Sequence, residues 1–234
     1  MHGVFLTGTD TGCGKTHAAV GLIRALRQQG LRVAGYKPVA AGAATCDGIL
    51  QNDDALALWR AGSPGFSYHQ VNPYCLSEPV SPHLAAAASN VQIAAEVIAD
   101  GLVDLAARSD CVVVEGAGGW FVPLSPNLDI AGLARHLDLP VILVVGLRLG
   151  CLNHAQLSEK AIMASGASLL GWIGSQVDPV MARVEENLDT LRQRLVSPCL
   201  GVLPYRPSGH SAQADAAFDL DALFDAWSIN DHTA

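Results

Sequence analysis

The sequence has few charged residues, few basic residues and no long apolar run, and each shortage excludes a class of protein. Charged residues occupy only 15% of the 234 positions, and 14 Lys and Arg stand against 22 Asp and Glu, giving a formal net charge of −8. A chain this acidic, without a Lys/Arg cluster, is not expected to bind a nucleic-acid backbone. The longest apolar run, residues 141–145, is too short to span a bilayer, so no membrane association is expected.

The cysteines lack the spacing of a disulfide framework or a metal site. They are scattered, form no C-x-x-C pair, and follow a start, Met1-His2-Gly3, without the features of a signal peptide. This usage predicts reduced thiols in a cytoplasmic protein. The six positions are Cys13, Cys46, Cys75, Cys111, Cys151 and Cys199.

What the chain does have is apolar residues, at 50%, arranged as short β-rich runs that alternate with helical stretches. This order predicts a doubly wound α/β fold with a mostly parallel sheet, in one domain of residues 1–234. The predicted strands are 4–7, 33–39, 111–114, 141–145, 170–173 and 200–203, and the predicted helices include 17–28, 91–107 and 154–164. Four prolines within 62–82 predict a long ordered loop, and a small helix is expected near 218–227.

A glycine-rich stretch follows the first predicted strand and opens a helix. Its residues are Gly8-Thr9-Asp10-Thr11-Gly12-Cys13-Gly14-Lys15-Thr16. In this context backbone N–H groups bind phosphates, the lysine contacts the β and γ phosphates, and the Thr16 hydroxyl is a Mg²⁺ ligand. Five residues separate Gly8 from Gly14, one more than in the generic motif, which indicates a narrower subfamily of P-loop NTPase-like proteins.

Two acids are candidates for the same metal. Glu115 ends a predicted strand and precedes the glycine-rich residues 116–119, which permit close approach of a ligand. Asp54 precedes the apolar run 55–59, where local sequence favours a helix cap over a metal ligand. Lys37 is expected at the carboxyl end of the second strand, where ligands bind in open α/β sheets.

Several segments together resemble the dethiobiotin synthetases, from about residue 4 to about residue 205. The matching strings are GTDT and GKT in the glycine-rich loop, AGYKPV (34–39), DALAL (54–58), VNPY (71–74), SPH (81–83), VEGAGGW (114–120), residues 140–146, LGC (149–151) and NHA (153–155). The resemblance implies that 7,8-diaminononanoate captures CO2 as a carbamate, which ATP phosphorylates before the second amine closes the ureido ring. It implies a ligase of biotin biosynthesis that uses ATP and Mg²⁺.

The resemblance also assigns roles to residues. Lys37, Thr11 and Lys15 become catalytic, and Thr16, Asp54 and Glu115 become the Mg²⁺ ligands. The implied nucleotide-binding positions are Gly12, Cys13, Gly14, Lys15, Thr16, Asp54, Glu115, Gly116, Ala117, Gly118, Ser175, Gln176, Pro204, Tyr205 and Arg206. The implied substrate-binding positions are Lys37, Ala41, Pro79, Gly118, Cys151, Leu152 and Asn153.

The family is homodimeric, and a helix of the partner subunit holds the substrate carboxylate at its amino end. Residues 151–153 match the start of that helix. Free N–H groups and the helix dipole favour an anion there. Without the resemblance, Asn153 is equally well explained as the cap of its own helix.

This sequence departs from the family pattern in four places. Gly12 stands where an acidic residue is common, and Ala41 replaces a hydroxyl residue near the substrate. Ser175-Gln176 replaces the adenine-reading Asn-Asp pair, and Tyr205 replaces a tryptophan. A hydroxyl cannot copy an amide that both donates to and accepts from a base edge, so we expect triphosphate binding with relaxed base selectivity.

Two other functions share this kind of loop. A partitioning-type ATPase carries a lysine early in the loop, where this chain has Thr9-Asp10-Thr11. A cobyrinic-acid-type amidoligase normally needs a glutaminase domain, for which no length remains. The sequence therefore favours the ligase.

Overall fold

A computed structural model describes residues 2–206 and 218–231. Its strands are β1 (Gly3–Gly8), β2 (Val33–Tyr36), β3 (Val39–Ala40), β4 (Ala44–Cys46), β5 (Ile49–Gln51), β6 (Tyr74–Cys75), β7 (Cys111–Gly119), β8 (Pro123–Ser125), β9 (Leu128–Asp129), β10 (Val141–Leu147), β11 (Leu169–Gln176) and β12 (Cys199–Leu203). Its helices are α1 (Lys15–Gln28), α2 (Asp53–Ala61), α3 (Tyr68–Val71), α4 (Pro82–Ala88), α5 (Ala95–Ala106), α6 (Ile130–Leu137), α7 (Cys151–Ala164), α8 (Val184–Arg194) and α9 (Asp221–Asp231).

Six strands form one parallel sheet in the order β12-β11-β10-β1-β7-β2. All seven residues of β10 are buried, as expected for a strand covered on both faces. Neighbouring residues of β2 identify the two covering layers. A Cβ on Gly35 would meet Leu58 of α2 and Ile23 of α1, whereas the Tyr36 hydroxyl donates to the Ile98 carbonyl of α5. The predicted doubly wound α/β architecture is therefore confirmed.

The predicted strand 33–39 is wrong in its second half. The strand ends at Tyr36, and residues 39–40 form β3, which pairs with β6 outside the main sheet. Pro38 has no N–H to donate to a ladder, and the Lys37 N–H donates to the Val71 carbonyl instead, at 2.8 Å. This break turns the chain away from the sheet directly at Lys37.

Other predicted boundaries also need correction. The strand before Glu115 does not end there but continues as β7 to Gly119, with Glu115 in register with Leu6. The helix predicted over 91–107 begins only at Ala95, because Ala94 is extended. Helices α1 and α7 begin at Lys15 and Cys151, two and three residues earlier than expected. The predicted C-terminal helix is present as α9, shifted towards the C-terminus.

The segment predicted as an uninterrupted loop over 62–82 contains two short elements. Helix α3 begins with a reciprocal capping box, in which Ser67 accepts from the Gln70 N–H and the Gln70 side chain accepts from the Ser67 N–H. The Ser-x-x-Gln pattern was the available signal for this helix. Strand β6 follows and runs parallel to β3.

Within the described residues, no helix is long and apolar enough to cross a membrane. All six cysteines are free thiols, and Cys13, Cys111 and Cys151 are buried.

Candidate active site at the carboxyl edge of the sheet

The glycine-rich loop connects β1 to α1 and leaves the start of α1 open. Gly12 and Gly14 have φ values of 76° and 90°, in the left-handed region that favours glycine. Gly14 is the N-cap of α1 and supplies no side-chain cap. The Lys15 ammonium folds back and donates to the Asp10 carbonyl at 2.9 Å. The loop therefore presents uncapped N–H groups and a lysine, which is the arrangement that binds phosphates.

Next to this loop, one buried lysine meets two acids from different elements. Lys37 Nζ lies 2.6 Å from Glu115 Oε1 and 3.5 Å from Asp54 Oδ2, and it donates to the Gly116 carbonyl at 3.1 Å. The Thr16 hydroxyl donates to the same Glu115 Oε1 at 3.0 Å. Lys37 is 4% exposed and Glu115 is 1% exposed, so neither is a surface residue. The predicted catalytic lysine and the three predicted metal ligands thus lie together.

Burial and charge act in opposite directions on this cluster. Burial alone lowers the pKa of Lys37, but the charges of Glu115 and Asp54 outweigh it and raise the pKa. Burial raises the pKa of Glu115, while the Lys37 charge opposes that effect. Three oxygen atoms surround Lys37 Nζ, so the proton belongs on the lysine and the pair is an ammonium with a carboxylate.

Asp54 is not the helix cap that local sequence favours. The N-cap of α2 is Asn52, whose Oδ1 accepts from the Asp54 and Ala55 N–H groups. The Asp54 carboxylate is free to point towards Lys37, and its side chain is 48% exposed. Asn52 was missed from the sequence, although an asparagine just before Asp-Asp and an apolar run is a recognisable cap signal.

A cleft of about 660 Å³ lies over the loop and the lysine. Eleven of the predicted site residues line it: Thr11, Gly12, Gly14, Lys15, Thr16, Lys37, Ala41, Asp54, Pro79, Ala117 and Gly118. Asn52 also lines it and donates through Nδ2 to the Ala41 carbonyl at 3.1 Å. Other predicted positions do not line the cleft. Among them, Glu115 is buried and contacts Lys37, and Cys13 is a fully buried residue of the loop.

The predicted base-reading residues lie beside the start of α1. The Ser175 side chain is 1% exposed and packs against Gly14, and its hydroxyl has no hydrogen-bond partner. Gln176 Oε1 accepts from the Tyr205 N–H at 3.4 Å, which joins the ends of β11 and β12. Because the Ser175 hydroxyl is enclosed, it presents nothing to a base edge in this conformation.

The first turn of α7 does not line this cleft within the same chain. Gly150 is its N-cap and no side chain caps it, so the interpretation of Asn153 as the cap of its own helix is wrong. The residues before it are tied to the glycine-rich loop, because Arg148 forms an ion pair with Asp10. Sequence reasoning missed this pair, since neither residue belongs to a motif that predicts it.

Curated relatives decide which family this is. The ATP-dependent dethiobiotin synthetase BioD of Xanthomonas euvesicatoria is 50% identical over 208 residues, covering 89% of this chain and 93% of that protein. The chain belongs to the dethiobiotin synthetase family. The synthetase of the same name from Xylella fastidiosa is 51% identical over 205 residues, covering 88% of this chain and 91% of its own length.

Two broader comparisons agree with the fold of this dethiobiotin synthetase family member. A family model described as an AAA domain matches residues 2–213. The cell division protein FtsY of Thermotoga maritima superposes with a TM-score of 0.55 at 18% identity, covering 96% of this chain and 67% of that one. The signal recognition particle receptor FtsY of Elizabethkingia anophelis, in complex with GDP, gives 0.56 at 15% identity, covering 95% and 62%. The P-loop NTPase-like fold is therefore confirmed.

Proposed function

We propose that this chain is a ligase of biotin biosynthesis that forms dethiobiotin from 7,8-diaminononanoate, CO2 and ATP, releasing ADP and phosphate. The observation that carries the proposal is the convergence of Lys37, Glu115, Thr16 and Asp54 beside an uncapped phosphate loop, in one cleft. The relatives named for this activity match nearly the whole chain.

The reaction needs positioning and charge neutralisation rather than a protein nucleophile. One substrate amine adds to CO2 and loses a proton to become a carbamate. A carbamate oxygen then takes the γ-phosphoryl group, and ADP leaves. The second amine attacks the carbamate carbon and loses a proton, phosphate departs, and the five-membered ring closes. Each intermediate is more anionic than the diamine, so cations in the cleft favour its formation.

The three catalytic assignments follow from position. Lys37 is a buried, protonated cation in the wall of the cleft, and we assign it to the carbamate and the transferring phosphoryl group. Lys15 belongs to the phosphate loop and neutralises the β and γ phosphates. Thr11 also lines the cleft, where its hydroxyl can donate to the carbamate. Pro79, Ala41 and Gly118 line the same space and shape the diamine site.

The oxygen atoms of this cluster fit Mg²⁺. Glu115 Oε2 is buried and has no hydrogen-bond partner, the Thr16 hydroxyl donates to Glu115 Oε1, and Thr16 and Asp54 both line the cleft. The described residues include no cluster of three or more His, Cys, Asp or Glu. Mg²⁺ usually takes one or two carboxylates from the protein and its other ligands from nucleotide phosphates and water. When bound, the ion would neutralise phosphate charge. Thr16, Asp54 and Glu115 would hold it.

Base selectivity is proposed to be relaxed. Ser175 is enclosed against Gly14 and Gln176 Oε1 is engaged by the Tyr205 backbone, so neither presents a complete donor and acceptor pair to adenine. Pro204, Tyr205 and Arg206 would then contact the base without reading its edge.

Incubation of the purified protein with 7,8-diaminononanoate, bicarbonate and Mg²⁺, with ATP, CTP and GTP in parallel, tests both proposals. We expect dethiobiotin by mass spectrometry in all three reactions. The three values of kcat/KM are expected to agree within about 10-fold. A bidentate contact to the base edge would discriminate between bases by about 1–3 kcal/mol, and this chain lacks that contact. Product only with ATP contradicts the relaxed selectivity, and no product with any nucleotide contradicts the function.

The substrate site is proposed to be completed by a second copy of the chain. Helix α7 has no side-chain cap, and Cys151, Leu152 and Asn153 form its first turn, where the helix dipole favours a carboxylate although the N–H groups of Cys151 and Asn153 already donate to backbone carbonyls. Around α7 lie the exposed apolar side chains of Leu149 and Leu157, which are 97% and 60% exposed. Contiguous exposed apolar surface is typical of interfaces, and we propose that these two side chains belong to one. A homodimer would place the first turn of one subunit's α7 at the cleft of the other.

Leu149→Glu tests this arrangement. We expect the native protein to sediment as a dimer, and Leu149→Glu to sediment as a monomer with a KM for the diamine raised about 10-fold or more, since an interface anchor is lost. Val180→Glu is the matched control, because Val180 is 85% exposed but precedes α8 instead of α7. A dimeric Leu149→Glu variant with native KM would contradict the proposed interface.

We place the reaction in the cytoplasm, which the scattered free thiols favour.

A further inference from the structure

Two buried side chains of the segment 67–78 point towards the active site without lining it. Tyr68 is 8% exposed and Asn72 is fully buried, and neither is among the residues that line the cleft. Polar groups this deeply buried need partners. Their partners lead directly to the two elements that carry Lys37 and Asp54.

Asn72 holds the backbone of Lys37. Its Nδ2 donates to the Lys37 carbonyl at 2.6 Å and to the Tyr74 carbonyl at 3.3 Å. The Lys37 N–H donates to the Val71 carbonyl at 2.8 Å. Both polar groups of the Lys37 main chain are therefore bound by residues 71–72, at the point where the chain leaves the main sheet.

Tyr68 extends these contacts to helix α2. Its hydroxyl donates to Asn72 Oδ1 at 3.0 Å and accepts from the Asn52 N–H at 2.8 Å. Asn52 Oδ1 in turn caps α2 through the N–H groups of Asp54 and Ala55. A continuous chain of hydrogen bonds thus joins the Lys37 carbonyl to the backbone of Asp54.

The series of hydrogen bonds does not include the ion pair between the Lys37 and Asp54 side chains. It connects the main chains of the two residues instead. A lysine side chain has a long flexible stem, so the location of its ammonium depends on what fixes the backbone below it. Asp54 Oδ2 lies 3.5 Å from Lys37 Nζ, but the Asp54 side chain is 48% exposed. Its location therefore depends on how the start of α2 is fixed and less on packing around the side chain.

We propose that Tyr68 and Asn72 are positioning residues, whose hydrogen bonds fix Lys37 relative to the helix that carries Asp54 and so set the rate of turnover. The inference rests on the proposed function, since it assigns turnover to this cluster. Neither residue lines the cleft. The alternative is that the network only stabilises the segment 67–78, in which case its loss lowers stability and leaves kcat unchanged.

Tyr68→Phe tests the proposal by removing one hydroxyl and keeping the ring. We expect kcat to fall between about 10-fold and 100-fold, because small displacements of reacting groups cost this much. KM for ATP should change less than kcat, since the phosphate loop is not part of the network and Asp54 is the one proposed metal ligand that the network positions. Amide hydrogen exchange should become faster in the first turn of α2 and at residues 37–41.

Tyr74→Phe is the matched control. The Tyr74 hydroxyl also accepts a backbone N–H, from Ala94 at 3.1 Å, and Tyr74 lies in the same segment, but this bond leads to α5 rather than to Asp54. We expect Tyr74→Phe to lose stability and keep native kcat. Asn72→Ala serves as a second variant should Tyr68→Phe fail to fold, because it removes the donor to the Lys37 carbonyl without burying a charge, and we expect the same fall in kcat.

Native kcat in Tyr68→Phe, or an equal loss in Tyr74→Phe, would overturn the proposal. The native protein run alongside separates the two questions. If it forms no dethiobiotin, the function fails, and hydrogen exchange still decides the network: unchanged exchange at α2 and residues 37–41 overturns it, and faster exchange there supports it.

Discussion

Lys37→Ala is expected to nearly abolish dethiobiotin formation while the protein still folds. Lys37 is a protonated cation buried in the wall of the cleft, 2.6 Å from Glu115 and 3.5 Å from Asp54. Removing one preorganised group that stabilises developing negative charge costs about 100- to 1,000-fold in kcat. We expect at least that loss, measured as dethiobiotin formed per enzyme at saturating ATP and diamine.

The same substitution leaves Glu115 buried without its cation. Breaking a buried ion pair from one side destabilises a protein by about 3–5 kcal/mol, because the remaining charge is uncompensated. Thermal unfolding should therefore shift downward. In the double variant Lys37→Ala/Glu115→Gln the charge is removed, so stability should recover in large part while activity does not.

Arg194→Ala is the control for losing a cation. Arg194 is exposed at the end of α8 and lies outside the phosphate loop, the acidic cluster and α7. We expect native activity and stability from this variant. Substantial activity in Lys37→Ala, or restored activity in the double variant, would remove Lys37 from the chemistry.

The sequence predicts the parts of this site that depend on local order along the chain. The strand, the glycine-rich loop and the helix that follows occur in sequence within residues 3–28, so phosphate binding can be inferred without a structure. The alternation of apolar runs likewise predicts the parallel sheet. The structure confirms this architecture, with shifts of a few residues at element ends.

What sequence cannot supply is contact between distant segments. Thr16 and Glu115 are 99 positions apart, yet the Thr16 hydroxyl donates a hydrogen bond to Glu115 Oε1. Local sequence favours Asp54 as a helix cap because its partner, Lys37, is on another element, and the structure gives the capping role to Asn52. Asn72 lies in the string VNPY, which assigns it no chemical role, and Tyr68 lies in none of the matching strings. The strand end at Tyr36, after which Lys37 bonds residues 71 and 72, lies inside a run that predicts one continuous strand.

Gly14→Ala is expected to weaken nucleotide binding by on the order of 100-fold, because no side chain fits at this position. Gly14 has φ 90°, and a Cβ there would lie 2.1 Å from Ser175 Oγ and 2.8 Å from Ser175 Cβ. Real Cβ atoms do not approach other atoms so closely. Ser175 is buried in β11 and cannot move aside, so the loop must shift, and the N–H groups at the start of α1 move with it.

Gly12→Ala separates the two causes of this effect. Gly12 also has a left-handed backbone, with φ 76°, but a Cβ there meets nothing within 4 Å. It should lose only the about 1–2 kcal/mol that left-handed backbone costs a residue with a side chain, which is at most about 10- to 30-fold in affinity. Both dissociation constants can be measured by titration with a fluorescent ATP analogue.

The double variant Gly14→Ala/Ser175→Gly then identifies the contact. Removal of the Ser175 side chain relieves the closest approach but not the backbone strain, so we expect affinity to recover to about the level of Gly12→Ala and no further. Equal affinities for Gly14→Ala and Gly12→Ala would contradict a steric role for Ser175. The expected result would also explain why a small residue suits position 175. The Ser175 side chain packs against Gly14 of the phosphate loop, so its size limits how closely β11 and the start of α1 can pack.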